Sequence, residues 1–208
     1  MNKKIKWILI SIVLVILIVI IAGIYKFNYL ANQPGYDVDG NKIEKTHKSE
    51  ILLKWFNLNT SNSFYIQIPD TNIKCEINEF DSLRFAKGNY TQGDEKGTVF
   101  IDNIEIITLN KSPENISYIM IPFSISNQGS GYFKYLGMFK IDYISKDISQ
   151  IDEYFLGDRV IINSIKYDGN DELKVILKVH SKNQPMSEAP SMLQELNLKV
   201  SQWKFKQK

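Results

Sequence analysis

Two short stretches of this 208-residue chain have the residue types to do chemistry. Gln128-Gly129-Ser130-Gly131 can expose successive backbone N–H groups as a small anion-binding nest. Its serine sits between glycines, but no G-x-S-x-G sequence surrounds it, so it is not a nucleophile elbow. Asp158-Arg159 can act as a ligand clamp or a catalytic pair. Neighbours in a strand point to opposite faces, however, so the two act together only if a turn twists them. These six residues form the candidate ligand-binding set. The bland readings are a glycine turn for the first stretch and a local salt bridge for the second. No catalytic residue is assigned.

Metal chemistry has little to work with. His47 and His180 stand far apart, outside any ligand-spaced motif, and Cys75 is the sole cysteine. A zinc site needs three or four convergent ligands. In IKCEI, Cys75 alternates with Ile73 and Ile77 on the apolar side, where a thiol is inert. Asp37, Asp39 and Asn41 follow the first spacings of a calcium loop, but Gly40 is misplaced and Lys48 stands where the closing glutamate belongs. A plain turn is expected there, and likewise at Asp168–Asp171. No metal and no cofactor are expected.

The remainder of the chain must position these groups. Trp7 to Ile24 is an uncharged apolar run of roughly 27 Å as a helix, close to a bilayer's hydrocarbon thickness. It predicts a transmembrane anchor over 7–26, with Trp7, Ile8, Leu9, Leu14, Leu17, Ile20 and Ile24 facing lipid. Lys3, Lys4 and Lys6 precede it, while Asp37 and Asp39 follow. The positive-inside rule then puts a 1–6 tail in the cytoplasm and everything after the anchor outside. A cleaved signal peptide is the rival, but the run ends IIAGIYKFNYLAN without a small-residue cleavage site. The expected location is the inner (cytoplasmic) membrane, with the C-terminal domain periplasmic or extracellular.

Charge narrows the partners. Four of the 25 basic residues lie in 1–26 with no acid, leaving 21 against 23 acids beyond them. A nearly neutral outer domain argues against nucleic acid.

Residues 27–42 read as a linker, and 43–208 as an extracytoplasmic β-rich domain with an N-terminal helix. Over 43–58, Ile43, His47, Ile51, Trp55 and Leu58 fall on one helical face, expected to pack on the domain. Period-two alternation then takes over, from FYIQIP and IKCEI to LKVILKV and LQELNLKV. In ISYIMIPFSIS, Pro122 removes a ladder donor and implies an edge strand or a bulge. GNYTQGDEKG reads as a polar loop. Asp168-Gly169-Asn170-Asp171 joins two strands as a hairpin. Leu196, Leu198 and Val200 point inward, and Trp203 and Phe205 continue the alternation. The expected fold is mostly β: an antiparallel sandwich or partly open barrel, preceded by one transmembrane helix and a short amphipathic helix.

NQGSGYFKYLGMF, FLGDRVIINSI and QPMSEAP resemble a group of uncharacterised bacterial envelope proteins, anchored by an N-terminal helix or a lipid. The matching residues are Gly129, Ser130, Gly131 and Phe133, then Leu156 to Arg159, then Pro185, Met186 and Pro190. The likeness covers about the last 80 residues. It implies an envelope location and β structure, and carries over no activity.

The expected role is therefore a single-pass envelope protein acting as a binding or interaction module. Its partners would be the lipid bilayer and an unknown envelope protein or small ligand. Two alternatives stand beside it: an envelope hydrolase using Ser130, Asp158, Arg159 or His180, and a component of a larger membrane-associated assembly.

Overall fold

A computed structural model of the chain describes Leu17, Ile20 and residues 35–36, 42–43, 47–80, 85–109 and 114–207. The tail, most of the linker and all but two residues of the anchor read at 7–26 lie outside these. Leu17 and Ile20 are helical and about half exposed. Among the described residues, no helix is long and apolar enough to cross a membrane. The chain divides into two units, 1–45 and 46–208. In the first, β1 (Gly35–Tyr36) and β2 (Lys42–Ile43) pair antiparallel, so strand pairing reaches into the stretch read as a linker. Asp37, Asp39 and Asn41 lie outside the described residues.

In the second unit, helix α1 (His47–Phe56) leads into strands. Its C-terminus follows from Asn57, which takes the left-handed conformation (φ 54°) that ends helices. The Leu58 N–H then bonds the Leu52 carbonyl at 3.0 Å. The helix packs on the domain as expected. Its buried face is Ile51, Leu52 and Phe56, one step round from the face read in the sequence.

Alternation builds the rest, and the fold is mostly β and antiparallel. β3 (Tyr65–Gln67) and β4 (Lys74–Glu76) form a small hairpin. A seven-stranded sheet holds β5 (Glu79–Phe80), β6 (Phe85–Gln92), β7 (Glu95–Asp102), β8 (Ile107–Leu109), β9 (Ile116–Asn127), β10 (Tyr132–Asp142) and β11 (Asp147–Asp158). Its order is β11-β10-β9-β7-β6-β5, with β8 also against β9. A four-stranded meander follows: β12 (Ile161–Tyr167), β13 (Glu172–Val179), β14 (Met192–Ser201) and β15 (Lys204–Gln207). The sheets do not close into a barrel among the described residues.

The large sheet is apolar on both faces. Ile119, Ile121, Phe123, Ile125, Phe139, Ile141 and Ile148 share one core with α1 and the β3–β4 hairpin. Met120, Leu136, Met138 and Leu156 share the other with Leu173, Val175, Leu177, Leu198 and Val200 of the meander. Residues 119–125 are accordingly buried without a break.

Pro122 is a correction. β9 is central, flanked by β10 and by β7 and β8. The bond from the Tyr143 N–H to the Asn115 carbonyl sets the β9–β10 alternation, which turns even-numbered residues of β9 away from β10. On that far side β7 pairing stops at Phe123 and β8 pairing starts at Met120. The 3₁₀ turn at Asn103–Glu105 lies between the two strands. The missing N–H therefore faces a break in the neighbouring strand. The proline is tolerated because its neighbour is interrupted, not because β9 is an edge.

Two further expectations are overturned. GNYTQGDEKG is a β-hairpin, β6–β7, with Gly93 (φ 60°) in its two-residue turn. Its alternation runs through Ala86, Gly88 and Tyr90, which are buried, so two of three inward residues lack the size that marks a strand. At the C-terminus the alternation does not run on. Gln202 (φ 52°) and Trp203 (φ 62°) reverse the chain, and β15 returns along β14. Left-handed backbone is costly for a bulky residue. The Trp203 ring compensates by stacking on Tyr118 with centroids 3.7 Å apart.

Candidate functional site

The structure brings the two predicted stretches together. The β9–β10 turn carries Gln128–Gly131, and the β11–β12 turn carries Asp158 and Arg159. The Tyr132 N–H donates to Asp158 Oδ1 (2.8 Å), and the Arg159 N–H donates to the Tyr132 carbonyl (2.8 Å). The Arg159 guanidinium donates to the Ser130 carbonyl and lies 3.7 Å from the Asp158 carboxylate. Arg159 itself is left-handed (φ 51°), which supplies the twist that puts the pair on one side.

These bonds close a turn. Ser130 contributes its backbone carbonyl, and the Gly129 N–H is taken by Asn127 Oδ1 at 3.1 Å. A nest needs such N–H groups free. Gly157 (φ 141°) is needed for backbone and space, since a Cβ there would meet Val160 Cγ1 at 2.6 Å. We expect Arg159→Ala to cost about 1–2 kcal/mol, the loss of a charge-assisted bond at a partly exposed site. Faster hydrogen exchange across 128–132 would accompany it. Unchanged exchange there would mean that the arginine does not hold the turn.

His180 belongs elsewhere. Its Nε2 lies 2.8 Å from the Glu188 carbonyl, inside the 180–191 loop. A carbonyl partner puts the proton on Nε2. The side chain of Gln184 closes the same loop, donating to the Ala189 carbonyl and accepting from the Ser181 N–H and the Ser191 hydroxyl. Asp168 Oδ1 likewise accepts the N–H groups of Asn170 (2.7 Å) and Glu172 (3.0 Å), as a hairpin cap does. Among the described residues, no three His, Cys, Asp or Glu converge as metal ligands.

Cys75 is 1% exposed, and burial pushes its thiol up to about 12. It is therefore a neutral thiol at pH 8. We expect no reaction with a thiol reagent in the folded protein and full reaction in denaturant. Rapid modification without denaturant would contradict the burial.

One concavity, of about 330 Å³, borders Gln128 of the predicted set together with Tyr90, Phe100 and Asn127; another lies where sequence reasoning did not look. A cleft of about 610 Å³ separates β3 from β11, lined by Asn62, Tyr65, Gln67, Lys74, Gln150 and Glu153 among others. Side chains close both its ends. At one, Asn62 Nδ2 donates to the Lys146 carbonyl (3.2 Å). At the other, the Gln67 N–H donates to Gln150 Oε1 (2.9 Å), and Gln150 Nε2 donates to Glu153 (3.1 Å). The β10–β11 turn beside it is pinned by Asp142, whose Oδ1 accepts the N–H groups of Ser145 and Ile144. Those bonds, that from Ser145 foremost, hold its carboxyl below the usual range.

No protein-family model, curated protein or solved structure matches the chain.

Function must therefore be argued from this geometry. The Ile77 N–H bonds the Phe64 carbonyl, and the Ile68 N–H bonds the Ile73 carbonyl. Antiparallel alternation then turns the backbone groups of Tyr65 and Gln67 away from β4, toward the cleft. On the opposite wall the same rule turns Ile148 and Gln150 away from β10. Two strand edges thus face one space without pairing with each other. Such a site can hold a ligand by hydrogen bonds. Its lining contains no cysteine or histidine, so a Cys–His or Ser–His pair does not form there.

Proposed function

We propose that this chain is a non-catalytic binding module, held at the inner membrane by residues 7–26 with residues 43–208 outside. One observation carries the binding reading. Asp158 and Arg159 are tied to the backbone of Ser130 and Tyr132 across two turns, while the cleft between β3 and β11 is bordered by the outward backbone of Tyr65 and Ile148 and by polar side chains. The two sheets, sharing one apolar core, are read as an antiparallel sandwich with the cleft on its flank. The apolar run and its lysine flank support the anchor.

A panel of chromogenic ester, peptide and glycoside substrates tests the non-catalytic reading. No turnover is expected. Sustained turnover abolished by Ser130→Ala or His180→Ala would establish the hydrolase instead. A C-terminal alkaline phosphatase fusion tests the topology and should be active. A stable but inactive fusion would place the domain in the cytoplasm.

A further inference from the structure

Resting on the binding-module reading, we propose that the β3–β11 cleft takes a small neutral carbohydrate of one or two sugar rings. The first argument is shape. The cleft runs from Asn62 to Gln67, about 16 Å at strand rise, and side-chain bonds shut it at both ends. An extended peptide adding to either edge would have to run out through those ends. A compact ligand does not, and 610 Å³ lies within the range of small-molecule sites.

The second argument is hydrogen bonding. The walls mix donors and acceptors at close spacing. The hydroxyls of Ser63, Tyr65 and Ser149 and the outward backbone of Tyr65 and Ile148 border one space, beside the amides of Asn62, Gln67 and Gln150, whose nitrogens are already bonded to Lys146, to Thr71 and Ile73, and to Glu153. Sugar hydroxyls each donate and accept, so they can meet both kinds of group. A ligand bearing acceptors alone would leave the N–H groups matched and the carbonyls opposed.

Charge and apolar surface complete the case. Lys74 stands against Asp147 and Glu153, so the cleft carries a slight negative excess. That disfavours phosphorylated or acidic sugars. Tyr65 is 40% exposed and Ile151 is 36% exposed, and both line the cleft, offering apolar surface to the C–H face of a pyranose. Ile151 is the extra residue of a bulge, where β11 skips from Gln150 opposite Phe139 to Asp152 opposite Met138. Bulges re-aim side chains in this way beside binding sites.

The test uses the full chain in a detergent without a sugar headgroup. Maltose, cellobiose and N,N′-diacetylchitobiose are titrated to about 10 mM, a range suited to weak sites, with glucose 6-phosphate as the charged control. Hydrogen exchange read by mass spectrometry locates the response. At least one disaccharide should bind saturably and slow exchange within 62–67 and 147–153, with glucose 6-phosphate binding more weakly. Tyr65→Ala and Gln150→Ala should each weaken binding about tenfold, and Thr98→Ala, on the open face of β7, should not. If Gln150→Ala unfolds, Tyr65→Ala still decides, because its side chain is largely outside the core. Failure of all three disaccharides, or protection confined to other segments, overturns the cleft proposal and leaves the binding-module reading standing. Cleavage of a bound disaccharide overturns both.

Discussion

Phe139→Ala is expected to destabilise the 46–208 unit by about 3–5 kcal/mol, the range for emptying a buried phenylalanine site. Phe139 is fully buried at the centre of β10. Its ring meets Phe64 edge-on at 5.7 Å, and Phe64 meets Phe56 of α1 at 5.6 Å. This aromatic chain ties helix, hairpin and sheet together, so the cavity would open where three elements meet. With total stability of about 5–15 kcal/mol for a domain, the variant would be marginal. Urea titration followed by circular dichroism measures it. Leu136→Ala, three residues away on the opposite face, should cost about 2–5 kcal/mol through the other core. A loss below about 1 kcal/mol for Phe139→Ala would mean that the α1-side core is not closed around that ring.

That two-faced burial was written in the sequence but easy to misread. Alternation in LKVILKV marks a strand with one solvent face, and the structure agrees: Leu173, Val175 and Leu177 are buried while Lys174 reaches Glu195 at 2.6 Å. ISYIMIPFSIS instead runs apolar almost without a break. Continuous runs belong to strands covered on both sides. Weighing that against Pro122 would have placed β9 in the middle. The break in β7–β8 that makes the proline harmless depends on pairing, and no local pattern encodes it.

The site was legible only in part, and the physical reason is distance along the chain. Glycines and an Asp-Arg pair correctly marked two turns. That Arg159 reaches the carbonyl of Ser130, 29 residues earlier, needed the β10–β11 register. The cleft was less visible still. Gln67 and Gln150 lie 83 residues apart and read as ordinary polar positions in alternating strands. Polar outward residues mark solvent and ligand sites alike. Only the meeting of two unpaired edges distinguishes them.

Gly88→Ala is the sharpest test of how the β3–β4 hairpin seats on the sheet. A Cβ at Gly88 would lie 2.0 Å from the Glu76 carbonyl oxygen and 2.9 Å from Cys75 Sγ. Backbone cannot move aside as a flexible side chain can, so the hairpin must lift from β6. We expect a loss of about 3 kcal/mol or more, at the upper end for overpacking. Gly93, five residues on, gives the contrast. Its φ is +60°, but nothing lies within 4 Å of an added Cβ. Gly93→Ala should therefore cost only about 1–2 kcal/mol, the left-handed backbone penalty alone. The thiol distinguishes hairpin lifting from general weakening. Cys75 is the buried central residue of β4, so in Gly88→Ala it should react with a thiol reagent under conditions where Gly93→Ala stays inert. Equal stability of the two variants, or an unreactive Cys75 in both, would mean that β4 does not cross β6 at this distance.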